Sequence, residues 1–175
     1  RISVGGSSAG GNMALSLSAR LGSERIKSCF ALYPAAHLTH PERLDTVMGC
    51  VSDKFRSGVV IPHWCMKLFI NAYTTPGTDM NDPRLSPMFY DASKFPKYVA
   101  VACGDADTLY RMSFDLMKKI SGSASGTNVD GSRKFICVLN EAHEFNTFGR
   151  TRASQEERDR VEGEAINMIR ASWRQ

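Results

Sequence analysis

The chain opens with RISVGGSSAGGNMALSLSARLG (residues 1–22), and the reading of this stretch decides the fold. Ile2 to Val4 reads as the end of a strand. From Met13 the spacing Met13, Leu17, Leu21 places apolar side chains along one face of a helix. Four glycines and two adjacent serines lie between the two patterns. A nucleotide-binding loop fits poorly, since no frame gives G-x-G-x-x-G and no Lys-Ser/Thr pair follows. A plain Gly-rich connector is the structural alternative. The frame Gly6-Ser7-Ser8-Ala9-Gly10 satisfies G-x-S-x-G, and that pattern has a physical use as a nucleophile elbow. Such a strand-to-helix turn holds a serine in a strained conformation with its oxygen exposed above a sheet. On this reading Ser8 is the nucleophile and the N–H of Ala9 is an oxyanion donor. Gly6 and Gly10 are expected because side chains there would collide with the neighbouring strand and helix. The helix that follows points its N-terminus at the site, which favours developing negative charge.

Outward from the elbow, buried strands alternate with helical patterns. Ser28 to Pro34, Tyr98 to Gly104 and Lys134 to Asn140 read as strands with near-continuous apolar character. Leu109 to Ile120 is helical, with Leu109, Met112, Leu116 and Ile120 on one side. A Gly/Ser loop follows it. The last helix is expected to start at a capping box of Ser154 and Glu157 and to run through Val161, Ala165 and Ile169 toward Trp173. This alternation predicts an α/β layer with a mostly parallel sheet. Ala35 to Pro96 breaks the alternation, which predicts a cap-like insertion at about 38–93 covering a site. It holds His37, His40 and His63, to which no chemistry is assigned.

The totals narrow the function class. With 175 residues, 42% hydrophobic and 23% charged, the chain is long enough for one domain with a sizeable core. A net charge of +4 with no Lys/Arg run does not imply a nucleic-acid partner. No apolar run reaches the roughly 18 residues of a membrane span, and no signal peptide is visible. Cys29, Cys50, Cys65, Cys103 and Cys137 show no metal-ligand spacing, so no metal is expected. Three of them lie in apolar strand-like runs, as buried thiols of a reducing, cytoplasmic compartment would.

An elbow serine calls for an acid and then a histidine, in that chain order. His143 is the one histidine beyond residue 63, and it follows the last expected strand in NEAHEF (residues 140–145). The acid should sit just past the penultimate strand, where Asp105 and Asp107 both stand. Asp107 also suits the N-cap of the next helix, and the two roles are compatible.

With these landmarks the chain resembles the hormone-sensitive-lipase-like α/β-hydrolases, the alpha/beta hydrolase fold-3 group. That family's elbow reads G-D-S-A-G-G-N, and Gly6 to Asn12 (GSSAGGN) matches six of the seven positions. The family's acid lies in a D-x-L element, which points to Asp107-Thr108-Leu109 and away from Asp105. Its base lies in an H-x-F element, here His143-Glu144-Phe145. Asp82 to Pro87 (DPRLSP) and Phe95 to Asp107 are further likenesses. Ser7 departs from the family's acidic residue, which bears on substrate tuning.

The resemblance implies a carboxylic-ester hydrolase of esterase or lipase type, acting on small or medium acyl esters through Ser8, Asp107 and His143, with no cofactor. Trp64, Phe69 and Tyr73 would line an apolar acyl pocket or form the interior of the insertion. A non-catalytic small-molecule-binding protein on the same fold, as in plant gibberellin receptors, lacks the catalytic histidine. An amide or thioester hydrolase would keep the triad. The family's H-G-G-G oxyanion loop lies well upstream of the elbow. The expectation is therefore a partial α/β-hydrolase domain that lacks its N-terminal strands, with the isolated fragment weak or inactive.

Overall fold

In the computed structural model, which describes residues 1–174, strands and helices alternate. The strands are β1 (Ile2–Ser7), β2 (Ile26–Leu32), β3 (Tyr98–Gly104) and β4 (Arg133–Val138). The helices are α1 (Ala9–Arg25), α2 (His63–Tyr73), α3 (Tyr110–Ser121), α4 (Phe145–Phe148) and α5 (Arg152–Trp173). Among the described residues the sheet runs β1-β2-β3-β4, and each neighbouring pair is parallel. This is the parallel α/β layer that the apolar strands predict. β1 extends past Val4, because Gly5, Gly6 and Ser7 pair with Phe30, Ala31 and Leu32 of β2.

Side chains that alternate across the pleat build a core on each face of the sheet. Cys29, Ala31, Val99 and Val101 pack against Leu15 and Ala19 of α1 and Leu116, Met117 and Ile120 of α3. Ala100, Ala102, Ile136 and Val138 pack against Val161 and Met168 of α5. Both faces are covered over β2 and β3, which is why these strands are apolar without polar alternation.

The structure fixes the facing of one helix and corrects the start of another. On α1 the apolar stripe faces outward: Met13 is 57% exposed, Leu17 43% and Leu21 37%. The buried face carries the small residues Gly11, Ala14, Ser18 and Ala19 with Leu15. Asn12 lies on the same buried face, and its Nδ2 donates to the carbonyls of Ala35 at 2.7 Å and Leu85 at 2.8 Å. At α5 the N-cap is Thr151, whose Oγ1 accepts from the Ser154 N–H at 3.1 Å. Ser154 therefore lies inside the first turn, and Glu157 pairs with Arg160 on the surface instead of closing a capping box.

Residues 33–97 connect β2 to β3 through α2 and three short 3-10 turns, Pro41–Thr46, Pro87–Phe89 and Ala92–Lys94. Leu38, Leu44, Met48, Met66 and Ile70 form their own cluster with Leu109 and Met112, which fastens the segment to the start of α3. Trp64 is 68% exposed, and Phe69 and Tyr73 are also exposed, so these aromatics do not form its interior. No helix among the described residues is long and apolar enough to cross a membrane. The five cysteines are unpaired; Cys29 and Cys103 are buried, while Cys50 is exposed.

Candidate active site

Ser8 stands alone between the end of β1 and the start of α1. Its φ of 53° and ψ of −120° are rare for a residue with a side chain, a conformation that costs on the order of 1–3 kcal/mol. The turn is held from both sides. The Ser8 N–H donates to the Leu32 carbonyl at 2.9 Å, and the Asn12 N–H donates to the Ser8 carbonyl at 3.0 Å. The strain thus belongs to a backbone pinned by the sheet on one side and by the first helical turn on the other.

The glycines around it have different reasons. A Cβ on Gly6 would collide with the Gly10 carbonyl, so the sharpness of the turn demands glycine there. A Cβ on Gly11 would press to 3.1 Å from the Pro34 side chain and 3.2 Å from the Gly6 carbonyl. A Cβ on Gly10 would meet nothing within 4 Å among the described residues. The expected collision at Gly10 is therefore absent, because Gly10 is on the exposed side of α1. Gly11 is the residue that lets α1 approach β2 closely.

Asp107 follows β3 at the sheet's C-terminal edge and is fully buried. One carboxylate oxygen, Oδ1, accepts from the Leu109 N–H at 2.8 Å. The other, Oδ2, lies 2.8 Å from Nδ1 of His143. α3 begins at Tyr110, so Asp107 braces the approach to the helix and is not its N-cap. Asp105 points elsewhere, accepting the Asn140 N–H on Oδ1 at 2.7 Å.

His143 is 3% exposed, on the loop after β4, and its Nε2 lies 3.0 Å from Ser8 Oγ. Three side chains from three separate loops at the sheet edge thus form one line, Ser8 to His143 to Asp107. Asn140 and Glu144 flank His143 in the left-handed region, with φ of 58° and 59°, so the loop turns sharply on either side of it. Phe145 is fully buried and anchors the loop in the α5-side core. Ala9, at the first position of α1, is exposed beside Ser8. His37, His40 and His63 take no part in this line.

Sequence reasoning passed over two neighbours. Tyr33 directly follows β2, where strand C-termini gather ligands in α/β folds. Its ring packs 4.5 Å from the His143 imidazole at a 59° tilt, and its hydroxyl donates to Asn146 Oδ1. Burial pushes the Tyr33 phenol up to about 12, so it remains a neutral wall beside the imidazole. Glu141, two residues before His143, is a fully buried carboxylate with no sequence signal of its own.

The buried cysteines hold their protons tightly. Burial raises the Cys29 thiol to about 12 and holds Cys103 well above its ordinary value. An apolar cavity of about 510 Å3 opens at Ser8 and Ala9 and runs beneath α2, lined by Leu38, Ile61, Met66 and Leu109 among others. Phe69 and Tyr73 contribute to its wall, whereas Trp64 lies outside it.

A family model described as alpha/beta hydrolase fold matches residues 1–146. Among solved structures, the chain is similar to a thermophilic and thermostable carboxylesterase cloned from a metagenomic library. That match has a TM-score of 0.72 at 23% identity and covers 98% of this chain and 55% of that one. It is also similar to a brefeldin A esterase, a bacterial homologue of human hormone sensitive lipase (TM-score 0.64, 22% identity, 95% and 47% covered). A third is a hyperthermophilic esterase from the archaeon Pyrobaculum calidifontis (TM-score 0.67, 19% identity, 95% and 52% covered). At these identities the likeness is one of fold. The chain spans about half the length of the solved structures it matches. No curated protein matches it.

Proposed function

This chain belongs to the alpha/beta hydrolase fold family, and on that premise we propose that it is a serine hydrolase that cleaves carboxylic esters. The observation that carries the reading is the line of contacts from Ser8 Oγ to His143 Nε2 at 3.0 Å and from His143 Nδ1 to Asp107 Oδ2 at 2.8 Å. Ser8 Oγ attacks the ester carbonyl carbon while His143 Nε2 takes its proton. The oxyanion forms next to the Ala9 N–H at the start of α1, where the helix dipole favours negative charge. The alcohol leaves with the proton held on Nε2, and water then releases the acyl group by the same route in reverse. Asp107 holds the imidazole in the tautomer with hydrogen on Nδ1 and supports its charge during each transfer.

Residues of about 38–93 act as a cap over the cavity beside Ser8. Its apolar wall suits a small or medium acyl chain, excluding water from the reacting carbonyl. A fluorophosphonate probe tests the assignment directly. The full-length protein carrying this chain is expected to label on one serine, and Ser8→Ala to abolish the label. Labelling of another serine in Ser8→Ala at a similar rate would reject Ser8 as the nucleophile.

A further inference from the structure

We propose that residues 49–61 form a strap that holds the Asp107 and His143 loops in register, with Arg56, Ser57 and Glu141 as positioning residues for His143. The inference rests on the Ser8–His143–Asp107 reading given above.

The strap grips the Asp107 side through its two ends. The Gly49 N–H donates to the Thr108 carbonyl at 2.7 Å, and the Arg111 N–H returns to the Gly49 carbonyl at 3.0 Å. The N–H groups of Val51 and Ser52 donate to the Asp105 carbonyl at 2.9 and 3.0 Å. Thr108 Oγ1 donates to the Ile61 carbonyl at 3.0 Å. Residues on both sides of Asp107 are therefore tied to the same connecting segment.

Its middle grips the His143 loop. The Arg56 N–H donates to the Asn140 carbonyl at 2.7 Å, and the Ala142 N–H donates to the Ser57 carbonyl at 2.9 Å. Val59 takes both backbone groups of His143: its carbonyl accepts the His143 N–H at 3.0 Å, and its N–H donates to the His143 carbonyl at 2.8 Å. Gly58 makes this approach possible. Its φ is 96°, and a Cβ there would collide with the carbonyls of Ala142 and His143.

Glu141 locks the arrangement from inside. Its Oε1 accepts from Arg56 Nε at 3.1 Å and from Ser154 Oγ at 2.8 Å, and its Oε2 accepts from Ser57 Oγ. Arg56 Nη2 also donates to the Leu139 carbonyl at 2.8 Å. A fully buried carboxylate needs such a set of donors, and here they come from the strap and from the first turn of α5. Glu141 does not line the cavity beside Ser8, so substrate contact does not account for it. The imidazole has to meet Ser8 and Asp107 at once, and a misplacement of about 1 Å costs on the order of a hundredfold in rate. The strap and its carboxylate lock supply that tolerance through backbone contacts on His143 itself.

The test compares the chain with Glu141→Gln, Arg56→Met and the milder Ser57→Ala, each kept well below its melting temperature. The first readout is the downfield proton resonance of His143 Nδ1–H, identified by its loss in Asp107→Asn. The second is the rate of fluorophosphonate labelling at Ser8. In the variants that fold, this resonance is expected to shift or broaden through faster solvent exchange, with labelling slowed by about tenfold to a hundredfold. An unchanged resonance and an unchanged labelling rate in a variant that melts lower would overturn the proposal, leaving these residues a stabilising role only. Failure of the unmodified full-length protein to label at Ser8 would count against the hydrolase reading, while the resonance would still decide the strap.

Discussion

Replacing Gly6 or Gly10 by alanine should separate the two glycines that frame Ser8. In Gly6→Ala the new Cβ would stand 2.5 Å from the Gly10 carbonyl carbon and 3.0 Å from the Gly11 nitrogen. Both atoms are backbone, so relief requires the elbow itself to open. Overpacking costs about 1–3 kcal/mol, and a clash that no side-chain rotation can relieve falls at the upper end, roughly 3 kcal/mol. At about 2–4 °C per kcal/mol for a domain of this size, the melting temperature should fall by roughly 6–12 °C. Gly10 has no positive φ and no neighbour within 4 Å of a new Cβ among the described residues. Alanine there restricts the unfolded chain at little folded-state cost, a gain of about 0.5–1 kcal/mol, or about 1–4 °C. Differential scanning calorimetry of both variants and the parent measures the contrast, with fluorophosphonate labelling of Ser8 as a check on the elbow. Gly10→Ala melting as low as Gly6→Ala, or Gly6→Ala melting with the parent, would refute the steric account.

Two further outcomes are expected. Asp107→Asn should lower turnover by about four orders of magnitude, because an amide cannot hold the His143 tautomer. Asp105→Asn should cost far less, since its Oδ1 serves the Asn140 N–H, a role that an amide oxygen fills; steady-state kinetics showing equal losses would reject this ranking. Stability should also fall as pH rises from 9.0 toward about 12, because the unfolded Cys29 thiol releases its proton near 9.0 while burial in the folded chain delays release to about 12. The sign follows from the raised folded value: full stability below 9.0, lost above it. Cys103 and Tyr33, also raised by burial, add in the same direction, so Cys29→Ala should remove only part of the alkaline slope in melting temperature. A flat profile across that range would contradict it.

How much was legible beforehand follows from the range of the forces involved. The elbow frame, the strand-like runs around Cys29, Cys103 and Ile136, and the chain order of Ser8, Asp107 and His143 are local patterns, readable because backbone conformation and burial leave a short-period mark on residue choice. Strand and helix patterns alone left Asp105 and Asp107 as alternatives, the D-x-L resemblance favoured Asp107, and the direction of each side chain depends on what its loop meets in space. The facing of α1 was likewise not written in its spacing: its buried face is small-residued, and Asn12 on it reaches the Leu85 carbonyl 73 residues away. Thr151 displaced the expected capping box because Ser154 turns its hydroxyl inward to Glu141. Glu141 itself carried no signal, since its partner Arg56 lies 85 residues away. Sequence by itself determined the strand-turn-helix elbow and the α/β class, both of which are written in neighbouring residues. Only the tertiary structure decided which helix face is buried, which glycine is sterically required and what holds His143 in place, because buried polar groups are satisfied by partners that chain folding, not chain order, brings within hydrogen-bond distance.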